Sequence, residues 1–211
     1  MTVSRESFET GALIYFDHNG TPGWHKPSEC VWSETTHIHG KISVNAQYSD
    51  LKDLFVETLR VPQLDLAMVL DQLLAARSLN LPVLEVKELL KTLNSFLRTE
   101  SNPPSPSRLF NAQIFPVREP SSSDAILCTS STQFTLIDRD GPPSEFRDMV
   151  RVLDFTMQEI RQLKPLLAWT GLEDRYLSRS MRETSCLGDG VAAPISQPHR
   201  DLRRKAHALL R

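Results

Sequence analysis

The sequence of 211 residues contains little cysteine, and its three thiols stand far apart, at Cys30, Cys128 and Cys186. An odd number of widely spaced cysteines does not form the disulfide framework of a small secreted domain, and it favours a reducing compartment. The first residues also lack the apolar stretch that opens a signal peptide. We therefore expect a cytoplasmic or nuclear protein.

Long apolar runs and a strong net charge are missing as well. No segment approaches the roughly 18 consecutive apolar residues of a membrane-spanning helix, so we expect no membrane partner. The 24 Lys and Arg residues against 26 Asp and Glu residues give a net charge of −2, which argues against nucleic acid as a partner. The 40% hydrophobic and 24% charged fractions exclude a wholly disordered or collagen-like chain.

The basic residues that are present concentrate at the end of the chain. Arg200, Arg203, Arg204 and Lys205 form a basic surface that only Asp201 offsets locally. Such a surface is most often the solvated face of a helix, but it can also contact RNA or an acidic partner. We favour the first interpretation and leave the second open.

Short strands are predicted before residue 45. A β-prone run at 12–16 is followed by Asn-Gly and Pro-Gly turn signals at 19–23. A returning strand at 29–33 would close a loose hairpin, and 38–44 is a weaker third strand.

Three amphipathic helices are predicted in the middle of the chain, where apolar residues recur at helical spacing. They cover 48–59, with Ser49 or Asp50 as the N-cap, then 66–74 and 86–97. We expect their apolar faces to form the core, with an exposed groove for a partner as the alternative.

The second half begins with a Pro/Ser-rich linker or loop at 101–108. The pattern then predicts three strands, at 113–117, 125–129 and 133–137. Helices are expected at 145–151 and 156–169, and a last helix ends the chain. Pro165 should break the helix at 156–169, and Gly171 should cap its end.

These elements define an α+β fold, with N-terminal strands, a three-helix layer, a small antiparallel sheet near 112–138 and C-terminal helices. We divide the chain into a hairpin and helical part at 1–100, the linker at 101–108, and a sheet and helix part at 109–211. One continuous domain remains the alternative.

Seven segments, in this order, resemble one family across roughly residues 10–211. They are GWHKPSECVWS at 23–33, HIHGKISVNAQYSDLKDLFV at 37–56, IFPVR at 114–118, VLDF at 152–155, RQLK at 161–164, LEDRYLS at 172–178 and PISQPHRDLRRKAHALL at 194–210. The family consists of large fungal proteins similar to sacsin and to the plant NO VEIN protein. The resemblance is to the region downstream of their GHKL-type ATPase domain. It implies a neighbouring ATPase domain and a chaperone-associated role.

No ATP site can be carried over from this resemblance. A GHKL ATPase needs a glycine box of the Asp-x-Gly-x-Gly kind, but Asp189-Gly190 is followed by Val191-Ala192. A second Asp-Gly pair, at 140–141, leads into two prolines, which lack backbone N–H donors. No Gly-x-Ser-x-Gly motif is present either. We predict no catalytic residue and no cofactor.

One group of residues could bind a metal. His25, Cys30, His37 and His39 carry ligand types that zinc prefers, and His18 lies nearby in the sequence. The spacing lacks the close Cys-x₂-Cys pair of strong zinc motifs, so histidines on a polar surface are the simpler interpretation.

Aromatic and charged residues give weaker signals. Trp24, Trp32 and Trp169 should anchor packing, although the first two flank the predicted turn and could form a peptide-binding surface. The alternating charges of 172–183 predict ion pairs on a helix surface. The resulting hypothesis is a non-catalytic structural or protein-interaction module, and the alternative is a metal-dependent binder or enzyme.

Overall fold

The computed structural model describes residues 5–18, 21–33, 38–139 and 149–180. All of them belong to a single unit of the chain that spans Met1–Met181. The basic surface at Arg200, Arg203, Arg204 and Lys205, the predicted turn at 140–143 and the last predicted helix lie outside the described residues. Within the described ranges, no helix is both long and apolar enough to cross a membrane.

The N-terminal part is built from short elements. Their bounds are α1 Arg5–Gly11, β1 Ile14–His18, β2 Thr21–His25, β3 Cys30–Val31 and β4 Ile42–Ser43. Strands β1 and β2 pair antiparallel, and His18 lies opposite Thr21. The predicted returning strand at 29–33 is therefore wrong, because residues 21–25 form the strand that pairs with β1. Strand β3 pairs in parallel with β4 instead.

The predicted helix at 48–59 is broken into shorter pieces. These are α2 Asn45–Tyr48, a 3₁₀ turn at Ser49–Leu51 and a π-helical turn at Leu54–Thr58. Ser49 and Asp50 lie inside the 3₁₀ turn and neither is the N-cap of a helix, so that part of the prediction is wrong. The wider π turn, closed by the bond from the Leu59 N–H to the Leu54 carbonyl, buries both Phe55 and Leu59.

The other two predicted helices are confirmed. They are α3 Leu66–Ala75 and α4 Val83–Thr99. Asp65 is the N-cap of helix α3, and its side chain accepts a hydrogen bond of 2.8 Å from the Met68 N–H. Helix α4 begins directly after Pro82, where the lack of a backbone N–H costs nothing.

A three-stranded antiparallel sheet follows, in the order β6-β5-β7. Its strands are β5 Phe115–Arg118, β6 Ala125–Cys128 and β7 Val152–Leu153. The third strand predicted at 133–137 forms only isolated bridges, from Thr135 to Val152 and from Leu136 to Tyr176. Phe134 and Leu136 are buried, so the apolar pattern there reflects burial and not a regular ladder.

The predicted helix at 156–169 divides into α5 Met157–Gln162 and α6 Lys164–Trp169. Pro165 lies in the first turn of α6, as expected for a residue that cannot continue a helix. Thr156 and Glu159 form a capping box at the start of α5. Gly171 ends α6 with a φ of +70°, which confirms its predicted role.

A buried asparagine bridges the break between α5 and α6. In a continuous helix, the Leu166 N–H would donate to the Gln162 carbonyl. Here Asn94 of α4 lies between them: its side chain donates to the Gln162 carbonyl at 3.0 Å and accepts from the Leu166 N–H at 3.1 Å. The amide therefore satisfies both backbone groups that the break leaves open.

Two main apolar clusters fill the described unit. The larger contains residues of α3, α4, the β5–β6–β7 sheet and α5–α6, from both sides of 101–108. The smaller contains residues of β1, β3 and the π turn. Within 101–108, the Pro104 carbonyl accepts a hydrogen bond of 2.8 Å from the indole of Trp169. The fold is α+β.

Replacing Leu93 by Asp should unfold the protein. Leu93 has no exposed surface, and an unpaired carboxylate in the core costs on the order of the 5–15 kcal/mol that keeps a domain folded. The same change at Leu84, which is 70% exposed on the same helix, should alter the free energy of unfolding by about 0.5 kcal/mol or less. Urea unfolding followed by circular dichroism measures both, and a stable Leu93→Asp protein would contradict the core assignment.

Candidate functional site

The β1–β2 hairpin presents an aromatic surface to solvent. Tyr15 and Trp24 lie directly opposite each other on the two strands, with ring centroids 5.3 Å apart in an edge-to-face arrangement. Trp24 is 63% exposed, Tyr15 is 38% exposed, and Leu13 beside them is 46% exposed. We call these three residues the hairpin face.

The alternation of the strand produces this surface. Successive side chains of a strand point to opposite sides, so Ile14 and Phe16 are buried while Tyr15 faces outward. The Tyr48 hydroxyl donates a hydrogen bond of 2.5 Å to the Tyr15 carbonyl and fixes the hairpin to α2. The aromatic pair is thus held on an ordered strand and not on a free loop.

The tryptophan predictions need correction. Trp24 does not anchor packing, because most of its side chain is exposed. Trp32 is buried against Phe55, with ring centroids 6.0 Å apart, so it cannot share a surface with Trp24. The exposed ring beside Trp24 is that of Tyr15. The sequence did not predict this pair, because the returning strand was assigned to 29–33 and Trp24 was therefore not placed opposite Tyr15.

The predicted metal ligands are only partly described. His25 lies 3.5 Å from the Glu29 carboxylate, His39 is exposed, and Cys30 is fully buried in β3. Burial, and then the nearby charge of Glu29, raises the pKa of the Cys30 thiol to about 12. His37 lies outside the described residues. Among the residues that are described, no three His, Cys, Asp or Glu side chains come together around a metal position. The four-residue site stays a prediction.

A cleft lies elsewhere on the described unit. We call it the Asp154 cleft, and it is lined by Lys87 of α4, Arg118 at the end of β5 and Asp154 after β7. Its volume is about 480 Å³. The remaining walls come from the β5–β6 turn, from Ile137, from β7 with Phe155, and from the start of α5. Residues distant in the sequence are therefore brought together, which no local motif could reveal.

Two cations share the Asp154 carboxylate. Lys87 Nζ lies 2.6 Å from Asp154 Oδ2, and the Arg118 guanidinium donates to Asp154 Oδ1. Burial acts to raise the pKa of Asp154, but the hydrogen bonds from Arg118 and Lys87 outweigh it and hold that pKa below its ordinary value. Asp154 is therefore a carboxylate at neutral pH.

The other carboxylates of the cleft have cations of their own. Glu119 accepts a hydrogen bond of 2.8 Å from Arg151 Nε, and Glu159 lies 2.8 Å from Lys91 Nζ. Burial tends to raise the pKa of Glu159, but hydrogen bonds from Lys91 and Thr156 lower it overall. The pair with Lys91 therefore favours the ionised form of Glu159.

The charged segment at 172–180 is used differently from the prediction. Arg179 pairs with Asp174 at 2.8 Å, as a surface network would require. Arg175 instead donates to the Thr132 and Ser130 carbonyls, both at 2.6 Å, and lies over the Phe134 ring. This arginine fixes the loop after β6 to the core.

The described residues form an α+β fold that carries the hairpin face and the Asp154 cleft. Comparison with protein families gives a match over residues 67–181 to Domain of unknown function (DUF8348). The match covers more than half of the chain, which therefore belongs to this family. Neither the curated proteins nor the solved structures include a match. The Asp154 cleft is built within the matched segment, and the hairpin face precedes it.

Replacing Asp154 by Asn should lower the free energy of unfolding by about 1.5–3 kcal/mol at neutral pH, because two charge-assisted hydrogen bonds are lost. The folded-state pKa lies below the unfolded value of about 3.9. The carboxylate's contribution is therefore complete above that value and disappears as the pH falls through the folded pKa.

Urea unfolding at a series of pH values tests this account. The difference between wild type and Asp154→Asn should shrink toward zero in acid, whereas Asp71→Asn, which removes an exposed pair with Arg108, should change stability by about 0.5 kcal/mol or less. A difference that persists unchanged in acid would show that the carboxylate's charge is not responsible.

The two described cysteines should resist thiol reagents in the native state. Cys30 and Cys128 are buried, and burial raises both thiol pKa values, so little thiolate is present at mildly alkaline pH. In a Cys186→Ser protein, a chromogenic disulfide reagent should modify both thiols only on unfolding. Rapid modification of native Cys30 would contradict the burial and would revive a ligand role for it.

Proposed function

We propose that this chain is a non-catalytic structural or protein-interaction module of a large sacsin-like fungal protein. It acts in the cytoplasm or nucleus, beside a GHKL-type ATPase domain and within a chaperone-associated assembly. The observation that carries the proposal is the exposed Tyr15–Trp24 pair of the hairpin face. The neighbouring ATPase domain follows from the sequence resemblance alone.

Exposed aromatic pairs of this kind suit a protein interface. Tyr and Trp are enriched among the residues that contribute most to binding, because they bury a large area with few rotatable bonds. Tyr15 and Trp24 already contact each other, and the Tyr48 hydroxyl donates a hydrogen bond to the Tyr15 carbonyl, which fixes the backbone of β1. Little conformational entropy is therefore lost when a partner covers them.

The chemistry of the described residues supports a non-catalytic role. Cys30 and Cys128 are buried thiols with raised pKa values, which is the opposite of an activated nucleophile. Asp154 and Glu159 are held by cations that lower their pKa values and favour the charged form. A carboxyl acting as a general acid near neutral pH requires the reverse shift.

The proposal predicts that a separately expressed GHKL-type ATPase domain of the sacsin-like family binds the chain through the hairpin face. Calorimetric titration should show binding to wild type that weakens by about tenfold or more in Trp24→Ser, because a central aromatic contact is worth about 2 kcal/mol. Tryptophan emission should shift to shorter wavelength on binding, because Trp24 leaves water.

Leu84→Ser is the matched control, since Leu84 is another highly exposed apolar residue but lies on α4. It should bind like wild type, and both variants should unfold at the wild-type urea concentration. Equal binding by Trp24→Ser and wild type would reject the hairpin face as the interface. If wild type does not bind at all, the ATPase domain is not the partner.

A further inference from the structure

We infer that the Asp154 cleft is a binding site for one small oxyanion group, a carboxylate or a phosphate, which the Arg118 guanidinium recognises. The inference does not depend on the hairpin face or on an ATPase partner. It rests on the shape of the cleft, its charge balance and the unused donors of Arg118.

The cleft has the size of a site for a small molecule. Its volume of about 480 Å³ falls in the range of about 300–1,000 Å³ that ligand pockets occupy. Val152, Leu153 and Phe155 supply apolar wall, and charged groups and hydroxyls supply the remainder. This mixture suits a small ligand with one charged end.

The charges at the base of the cleft do not cancel. Lys87 and Arg118 bring two positive charges to one carboxylate, that of Asp154, which leaves one positive charge in excess. Glu119 does not supply the missing negative charge, because it pairs with Arg151. Glu159 has other partners: its Oε1 pairs with Lys91, which also pairs with Glu88, and its Oε2 accepts from the Thr156 N–H and hydroxyl. The excess of one positive charge is therefore local to Lys87, Arg118 and Asp154.

Arg118 has N–H donors that its bond to Asp154 does not use. A guanidinium carries five N–H groups, and within the described part of the chain Arg118 uses one of its terminal nitrogens, on Asp154. Its Nε–H is buried without an acceptor, and its side chain is 42% exposed at the cleft. The planar fork of a guanidinium matches the two oxygens of a carboxylate or phosphate. An oxyanion in the cleft would therefore meet the donors of the terminal nitrogen that Asp154 does not use, whereas the buried Nε–H is not accessible to it.

Lys87 has a positioning role. It is largely buried, it lies 2.6 Å from Asp154, and its Nζ lies 5.2 Å from the centre of the Phe155 ring. These contacts hold Asp154 in place, and Asp154 in turn orients the Arg118 guanidinium. Arg118, the more exposed cation, is left to contact the ligand.

The surrounding carboxylates set the selectivity. Asp154, Glu119 and Glu159 all line the cleft and are each paired with a cation, so the local excess of one positive charge matches a ligand with one negative group. The site therefore favours a ligand with a single oxyanion group over a polyanion such as a nucleotide triphosphate. The Ser121 and Ser122 side chains also line the cleft and add neutral polar groups near this position.

Nuclear magnetic resonance of the whole chain tests the inference with acetate and with inorganic phosphate as separate probes, at constant ionic strength and neutral pH. Either probe should shift the Arg118 Nε–H signal and the backbone amide signals of Glu119 and Phe155, which line the cleft, along a saturable curve. The two backbone signals are the ones followed in the Arg118 variants. Arg118→Gln should weaken binding by about tenfold, the factor for losing a charge-assisted hydrogen bond. Arg108→Gln, which removes an exposed arginine paired with Asp71, should bind like wild type.

Each result of the titration either supports the proposed site or overturns it. Saturation by acetate alone, by phosphate alone or by both supports the site and identifies its chemistry. Shifts that grow linearly with concentration, or that are equal in wild type and Arg118→Gln, overturn it. If Arg118→Gln does not fold, Arg118→Lys keeps the charge but loses the fork, and unchanged affinity in that variant would also overturn the inference.

Discussion

The packing of α4 is the constraint on which the rest of the described unit depends. Its buried stripe contacts α3, the sheet and α6, so one helix fixes the position of all three. Asn94 adds a polar requirement to this apolar contact, because its amide replaces the hydrogen bond lost between Gln162 and Leu166. Without that amide, the buried Leu166 N–H would lack a partner, at a cost of about 1–3 kcal/mol, and so would the partly buried Gln162 carbonyl, at a smaller cost. The break at Pro165 is therefore tolerated only where α4 lies beside it.

This arrangement places the two functional surfaces in different settings. The Asp154 cleft lies against α4, which contributes Lys87, so the cleft is held by the main core. The hairpin face lies over the smaller cluster, and its exposed side chains contribute little to either core. A surface that is ordered but unnecessary for stability can be changed without unfolding the protein, which is what an interaction face requires.

The sequence predicted the parts of this structure that depend on local pattern. The stripes of α3 and α4, the break at Pro165 and the cap at Gly171 follow from spacing and backbone chemistry, and all were confirmed. The pairing of β1 was missed although it is local, because Pro22 and Gly23 were assigned to the turn and not to a strand. The place of β7 in the sheet was not predicted, because packing between segments distant in the sequence decides it. The Asp154 cleft was not predicted for the same reason, because Lys87, Arg118 and Asp154 share no motif and come together only in the folded chain. IFPVR and VLDF, which contain two of the three, carried the family resemblance but gave no indication of a shared site.

Native-state hydrogen exchange tests the central claim, that α4 holds the main core together while the hairpin lies outside it. The account predicts that the amides of α4 and the Leu166 amide exchange only through global unfolding. The amides of β1 and β2 should exchange through smaller openings with a lower free energy. The account would be contradicted if the Leu166 and α4 amides exchanged as fast as those of the hairpin, because the helix could then open without loss of the fold.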